Sequence, residues 1–212
     1  MSHRVDPGFG GERALGDKCA LPSSLYTGVR YKPLLTGGMA LLAGGAMPLA
    51  FAPVGWAWLA VIALATFFVL TAQSSRRQAL WSAYLFGLGY FGVGVSWVFI
   101  SISQYGNGPV VAVLVTAAFV SLLALFPWGV AYLVRCLRPE MDAMALWLGL
   151  PAAWVLSEWM RTWFLTGFPW LFIGYSQTDT TLATIAPVFG VLGVSLLVAL
   201  LAGGVAWVVQ GP

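Results

Sequence analysis

From residue 34 onward the chain runs through six apolar stretches, each near the 17–25 residues that a helix needs to cross about 30 Å of hydrocarbon. That pattern leaves few folds open. Backbone N–H and C=O groups in lipid have no water to bond, so a crossing segment is a helix or part of a closed barrel. No period-2 alternation suggests a barrel. The expected fold class is therefore all-α, a polytopic transmembrane helical bundle with spans at about 34–51, 54–72, 79–102, 110–134, 143–163 and 185–209.

Composition supports the same conclusion. Hydrophobic residues make up 60% of the 212 and charged residues only 8%, where a soluble domain carries roughly 25% charge. So few charges cannot cover a water-facing surface, and the apolar side chains must face lipid. The net charge of +3 does not indicate a nucleic-acid partner, because no basic face is interleaved with stacking aromatics. Cys19 and Cys136 show no CxxC spacing, so neither a disulfide framework nor a zinc site is implied. The single histidine, His3, excludes a Ser-His-Asp triad within the membrane core and any multi-histidine metal site. No cofactor is indicated.

Residues 1–33 are polar and of mixed charge, which predicts a disordered tail ahead of a transmembrane domain over 34–212. The basic residues set the orientation. Arg4, Arg13, Lys18, Arg30 and Lys32 precede the first span, Arg76 and Arg77 separate the second from the third, and Arg135 and Arg138 the fourth from the fifth. Only Arg161 falls on the other side. This positive-inside bias predicts cytoplasmic N- and C-termini. The opposite face then holds residues 52–54, 103–109 and the long aromatic connection 164–184, which is expected to lie in the interface or re-enter the membrane.

Several motifs invite chemistry. Gly87, Gly89 and Gly92 match a GxGxxG pattern, but inside a span, with no preceding strand, they predict close helix packing instead of a dinucleotide site. Ser101 to Pro109 offers hydrogen-bonding groups at a helix end, either as a cap or as a polar rim. Glu158 and Arg161 lie three apart at the end of the fifth span, so they share a helix face and can pair. Ionisable groups at that depth are costly and point to function, although a bracing ion pair explains them equally well. Gly167, Phe168, Pro169, Trp170, Gly174 and Tyr175 make the densest unusual stretch, fit either to hold lipid chains in a cleft or to anchor a turn. Glu158, Arg161, Phe168, Trp170 and Tyr175 are the candidate lipid or substrate cleft residues. No nucleophile with a partner base lies on the outer face, so no catalytic residue is assigned.

The run from Glu158 to Trp170, followed by Gly174, Tyr175, Ser176 and Gln177, resembles the membrane region of bacterial apolipoprotein N-acyltransferase. So do Phe51-Ala52-Pro53 with Trp56, the stretch from Gly94 to Val98 with Ser101 and Ile102, and Ala186-Pro187 with Gly190 and Gly193. The resemblance implies a multi-pass protein of the bacterial inner membrane. In the family, an acyl chain moves from a phospholipid to the α-amino group of a diacylglyceryl-cysteine on a lipoprotein, through a thioester acyl-enzyme. The nucleophilic Cys and its Glu and Lys partners belong to a nitrilase-like domain between a seventh and an eighth membrane helix. The resemblance stops near Val209, so none of those three residues is carried over. The expectation is the N-terminal membrane portion of such an enzyme, truncated or split from its catalytic domain, with phospholipid and lipoprotein lipid as partners. The alternatives are a non-catalytic membrane scaffold for a separate nitrilase-like polypeptide and, less well supported, a small-solute transporter.

Overall fold

The structure, a computed structural model, describes residues 33–105, 108–164 and 167–211. The tail expected over 1–33 lies outside the described residues but for Pro33, where the first helix begins. All regular structure among the described residues is helical. Helix α1 covers Pro33–Ala46 and continues into a 3-10 turn, Met47–Ala50. At 1.5 Å and about 2 Å per residue, the two together reach about 29 Å, close to one hydrocarbon thickness. Residues 51–57 form a turn, so α2 (Trp58–Gln73) starts four residues later than the expected span. Ser75 then opens α3 (Arg76–Gly94) with a reciprocal cap, its hydroxyl accepting from the Gln78 N–H while the Gln78 side chain accepts from the Ser75 N–H.

The third span departs from the straight helix expected over 79–102. At Val95–Ser96 the chain bends by 52° into α4, Trp97–Gln104. Glycines and serine cluster here (Gly92, Gly94, Ser96), a common cause of sharp kinks, and the Leu171 side chain packs directly on Gly94. Helices α5 (Gly108–Leu123) and α6 (Leu125–Leu137) run on as one apolar stretch of 30 residues. The fifth element begins after Asp142, whose carboxylate caps the Ala145 N–H at 2.9 Å. It passes through a π-helical segment, Ala145–Gly149, into α7, Leu150–Met160. Pro151 lacks the N–H that would continue the α-helical ladder, which accounts for the local widening. Two 3-10 turns, Ile173–Gln177 and Thr181–Ile185, lead to α8, Ala186–Gln210. This last helix is kinked at Gly190, whose φ of 66° and ψ of −177° lie in a region open only to glycine.

Two helical stretches, Gly108–Leu137 and Thr181–Gln210, are long and apolar enough to cross a bilayer, and the bent α3–α4 pair is so too when its two halves are taken together. Helices α1 and α2 are shorter and apolar. Large apolar side chains stand exposed around the bundle, among them Leu34, Trp81, Val110, Leu114 and Val188. In water such a surface would aggregate; in a bilayer it is the solvent-facing side.

Helix α1 packs on α3, α2 on α8, and α3 on α6. The glycine-rich motif of α3 works as expected from its setting. A methyl group on Gly89 would run into the Leu41 carbonyl, and one on Gly87 would sit 2.7 Å from the Ala124 Cα. Buried Phe67, Phe86, Tyr90 and Trp154 form the centre of the core, with ring centroids 4.9–6.3 Å apart between neighbours. At one end of the bundle, Arg135 donates to the Ser74 carbonyl, and Arg76 lies 5.5 Å over the Tyr132 ring. The two arginine-bearing connections are thus neighbours.

Candidate functional site

The site is built around the two charges at the C-terminal end of α7. Glu158 is fully buried and Arg161 only 2% exposed, and their side chains approach to 3.9 Å. Being three residues apart puts them on one face, and that face turns inward. Glu158 Oε1 accepts the Trp154 indole N–H at 3.0 Å and the Ile173 backbone N–H at 2.9 Å. Arg161 donates to the Trp170 carbonyl at 2.9 Å. Its guanidinium lies 5.2 Å from the Phe91 ring, 5.9 Å from Phe126 and 5.0 Å from Phe172. Aromatic faces attract a desolvated cation, so three rings and a carbonyl replace the water that Arg161 gives up.

Two of these bonds, to the Ile173 N–H and the Trp170 carbonyl, reach the segment that runs from α7 into the 3-10 turn Ile173–Gln177. The Phe168 N–H returns to the Arg161 carbonyl at 2.6 Å. Tyr90, from α3, donates its hydroxyl to the Leu171 carbonyl at 2.5 Å. Ser195, from α8, accepts the Gly174 N–H at 2.9 Å and stands against the Glu158 carboxylate. Gln177 reaches the Ala57 carbonyl at 3.1 Å, tying the segment to the turn between α1 and α2. Three helices and a turn therefore clamp a stretch whose only regular structure is one 3-10 turn, satisfying its buried backbone groups one at a time.

The clamp also holds unusual backbone. Gly167 has a φ of 88°, and a methyl there would strike the Thr162 carbonyl. Leu171 has a φ of 59°, a left-handed conformation that costs a non-glycine residue about 1–3 kcal/mol. It is held there by the Tyr90 bond at its carbonyl and by its side chain on Gly94.

The five residues singled out from the sequence meet in this one cluster, in two layers. Glu158 and Arg161 form the buried layer. Phe168, half-buried, meets Phe119 edge-on at 5.0 Å and stacks on Trp170 at 5.7 Å. Trp170 (53% exposed) lies 6.2 Å from Trp97, and Tyr175 (48% exposed) stacks on Phe172 at 6.1 Å. These three give the outer, aromatic layer. Leu165 and Thr166 lie outside the described residues, as do Gly106 and Asn107 of the polar run before α5. Sequence reasoning missed Tyr90, Trp154 and Ser195. Ser195, a lone hydroxyl inside an apolar span, was a readable signal; Tyr90 and Trp154 look like ordinary core aromatics.

Chemically, the arrangement positions backbone. Glu158 Oε1 is occupied by two N–H donors and shut away from solvent, and no group of three His, Cys, Asp or Glu side chains gathers among the described residues.

Residues 43–204 match the family described as apolipoprotein N-acyltransferase N-terminal domain. The apolipoprotein N-acyltransferase of Methylococcus capsulatus is 49% identical over 176 residues, covering 78% of this chain and 33% of its own length. That of Coxiella burnetii is 43% identical over 168 residues (78% and 34%), and that of Vibrio cholerae 41% over 172 (80% and 34%). The chain spans about a third of the length of these curated relatives.

Proposed function

The chain belongs to the apolipoprotein N-acyltransferase N-terminal domain family, and from that premise we propose that it is the membrane domain of a lipoprotein N-acyltransferase of the bacterial inner membrane. On this reading it crosses the bilayer six times, with the arginine-marked connections and both termini cytoplasmic. Residues 164–184 lie at the opposite face. Phospholipid and lipoprotein lipid meet there, against the aromatic layer of Phe168, Trp170 and Tyr175, with Glu158 and Arg161 fixing the segment that carries it. The acyl transfer itself, from phospholipid to the α-amino group of a diacylglyceryl-cysteine, is carried out by the two thirds of the relatives' length outside the match.

One observation carries this reading. Both buried charges bond to the backbone of an aromatic-faced segment at the end of the bundle, Glu158 to the Ile173 N–H and Arg161 to the Trp170 carbonyl. A bundle that served only as an anchor could close with a short turn and no buried ions, which are costly in lipid. Trp and Tyr with one apolar body and one polar edge favour the headgroup level, where a lipid presents both its chains and its ester groups.

The test is a hybrid. Residues 33–211 replace the matching portion of the Methylococcus capsulatus relative, in a strain depleted of its own N-acyltransferase. Mass spectrometry of a lipoprotein should find the N-acylated form restored. Trp170→Ala with Tyr175→Ala in the hybrid should reduce it while leaving the amount of membrane-inserted protein unchanged. Full acylation with both aromatics removed would refute the assigned role of the rim.

A further inference from the structure

Helices α6 and α7 do not close fully on one another. Between them runs an apolar groove of about 280 Å³, with Gly129 and buried Ala153 on its floor, the more exposed Leu133 and Leu156 at its lips, and Phe126 and Phe164 also on its lining. It is separate from the aromatic layer around Trp170, though Phe126 is shared with the cage around Arg161. We infer that this groove is a binding site for a single acyl chain of a bilayer phospholipid.

Three observations fix the occupant. Leu133, Leu156 and Phe164 are 37%, 43% and 42% exposed, so the groove opens directly onto the lipid-facing surface of the bundle and is continuous with it. Its length suits one leaflet: the lining runs from Leu122 to Leu133, eleven helical rises, roughly 16 Å, or about half the hydrocarbon core. Its volume is roughly twice that of the ~150 Å³ apolar cavity known to accept benzene, enough for a chain segment but not for a helix about 10 Å across. No group is offered to a headgroup, since the Ser157 hydroxyl on the lining is already bonded to the Trp154 carbonyl at 2.7 Å. The floor depends on a missing side chain. A methyl on Gly129 would meet nothing within 4 Å, so the residue is not needed for helix packing, and its effect is to leave the groove open.

The inference requires that the chain is embedded in a bilayer but is independent of the role given to Trp170 and Tyr175. It is tested with the full chain in vesicles of phosphatidylethanolamine and phosphatidylglycerol. These are doped with a phosphatidylethanolamine carrying a diazirine midway along one acyl chain, and adducts are mapped by mass spectrometry. Adducts should be several-fold denser on Leu133 and Leu156 than on Val113 and Leu114, which are exposed on α5. Gly129→Leu, which fills the groove while favouring the helix, should abolish the excess and leave α5 labelling unchanged. Gly129→Ala should retain it. If Gly129→Leu fails to insert, Leu156→Trp closes the groove from the other wall with the same expected loss. Equal labelling of groove and α5, or an excess that survives filling, overturns the site. Absence of labelling on α5 as well would instead refute membrane embedding and the functional reading above.

Discussion

Replacing Glu158 by leucine keeps the side chain's bulk and removes every polar contact it makes. The Trp154 indole and the Ile173 N–H lose their acceptor, and Arg161 loses its counter-charge at 3.9 Å. An orphaned buried donor costs about 1–3 kcal/mol, and breaking one side of a buried ion pair about 3–5 kcal/mol. These overlap, and polar groups in membrane bundles find substitute partners, so the low end applies: about 3 kcal/mol against local opening of residues 168–177. At tenfold per 1.4 kcal/mol, that opening becomes a little more than a hundredfold more frequent. The assay is the rate of thiol labelling at Ser176→Cys, a position 5% exposed, in a background with Cys19 and Cys136 replaced by alanine. Glu158→Gln, which retains an acceptor for both N–H groups, should raise the rate less. Glu158→Leu with Arg161→Met, which removes the stranded charge, should recover part of the protection. A change below about threefold for Glu158→Leu would mean that the carboxylate does not hold the segment.

Three further outcomes follow from the packing. Gly44→Ala drives a methyl into the Phe86 backbone, whereas at Gly45 the nearest atom is 3.7 Å away; thermal unfolding in detergent should show about 1–3 kcal/mol lost at Gly44 and no measurable change at Gly45. Ser195→Ala leaves the Gly174 N–H without its acceptor and should cost about 1–3 kcal/mol, read as faster labelling at Ser176→Cys. Asp142→Ala should destabilise by about 1 kcal/mol through loss of the cap on Ala145. Arg138→Ala, which breaks only the exposed 2.9 Å pair with the same aspartate, should stay within about 0.5 kcal/mol; equal losses for the two would refute the capping argument.

Much of the fold was legible because membrane helices obey an additive rule. A stretch of some twenty apolar residues is helical wherever it lies, since its own backbone supplies its hydrogen bonds. Helix therefore occupies much of each expected stretch among the described residues, as Leu34–Ala50 does within 34–51, although residues 54–57 of the second stretch precede its helix. The break in the third span was not legible. Hydropathy does not register a bend, and the cause at Val95–Ser96 includes Leu171, a residue far along the chain packing on Gly94.

The same division holds for the site. By itself the sequence determined that Glu158, Arg161 and the aromatic stretch after them were exceptional, because charge in a hydrocarbon setting is rare and costly. It also determined the family, through the long run of residues from Glu158 to Gln177. Only the tertiary structure decided where those residues point: the two charges face inward, and Trp170 and Tyr175 face outward. The contacts that decide it join residues distant in sequence, Tyr90 with Leu171 and Gln177 with Ala57 across 81 and 120 positions. Local periodicity reports which face of a helix is apolar, but which backbone group a buried polar side chain meets depends on how the helices pack.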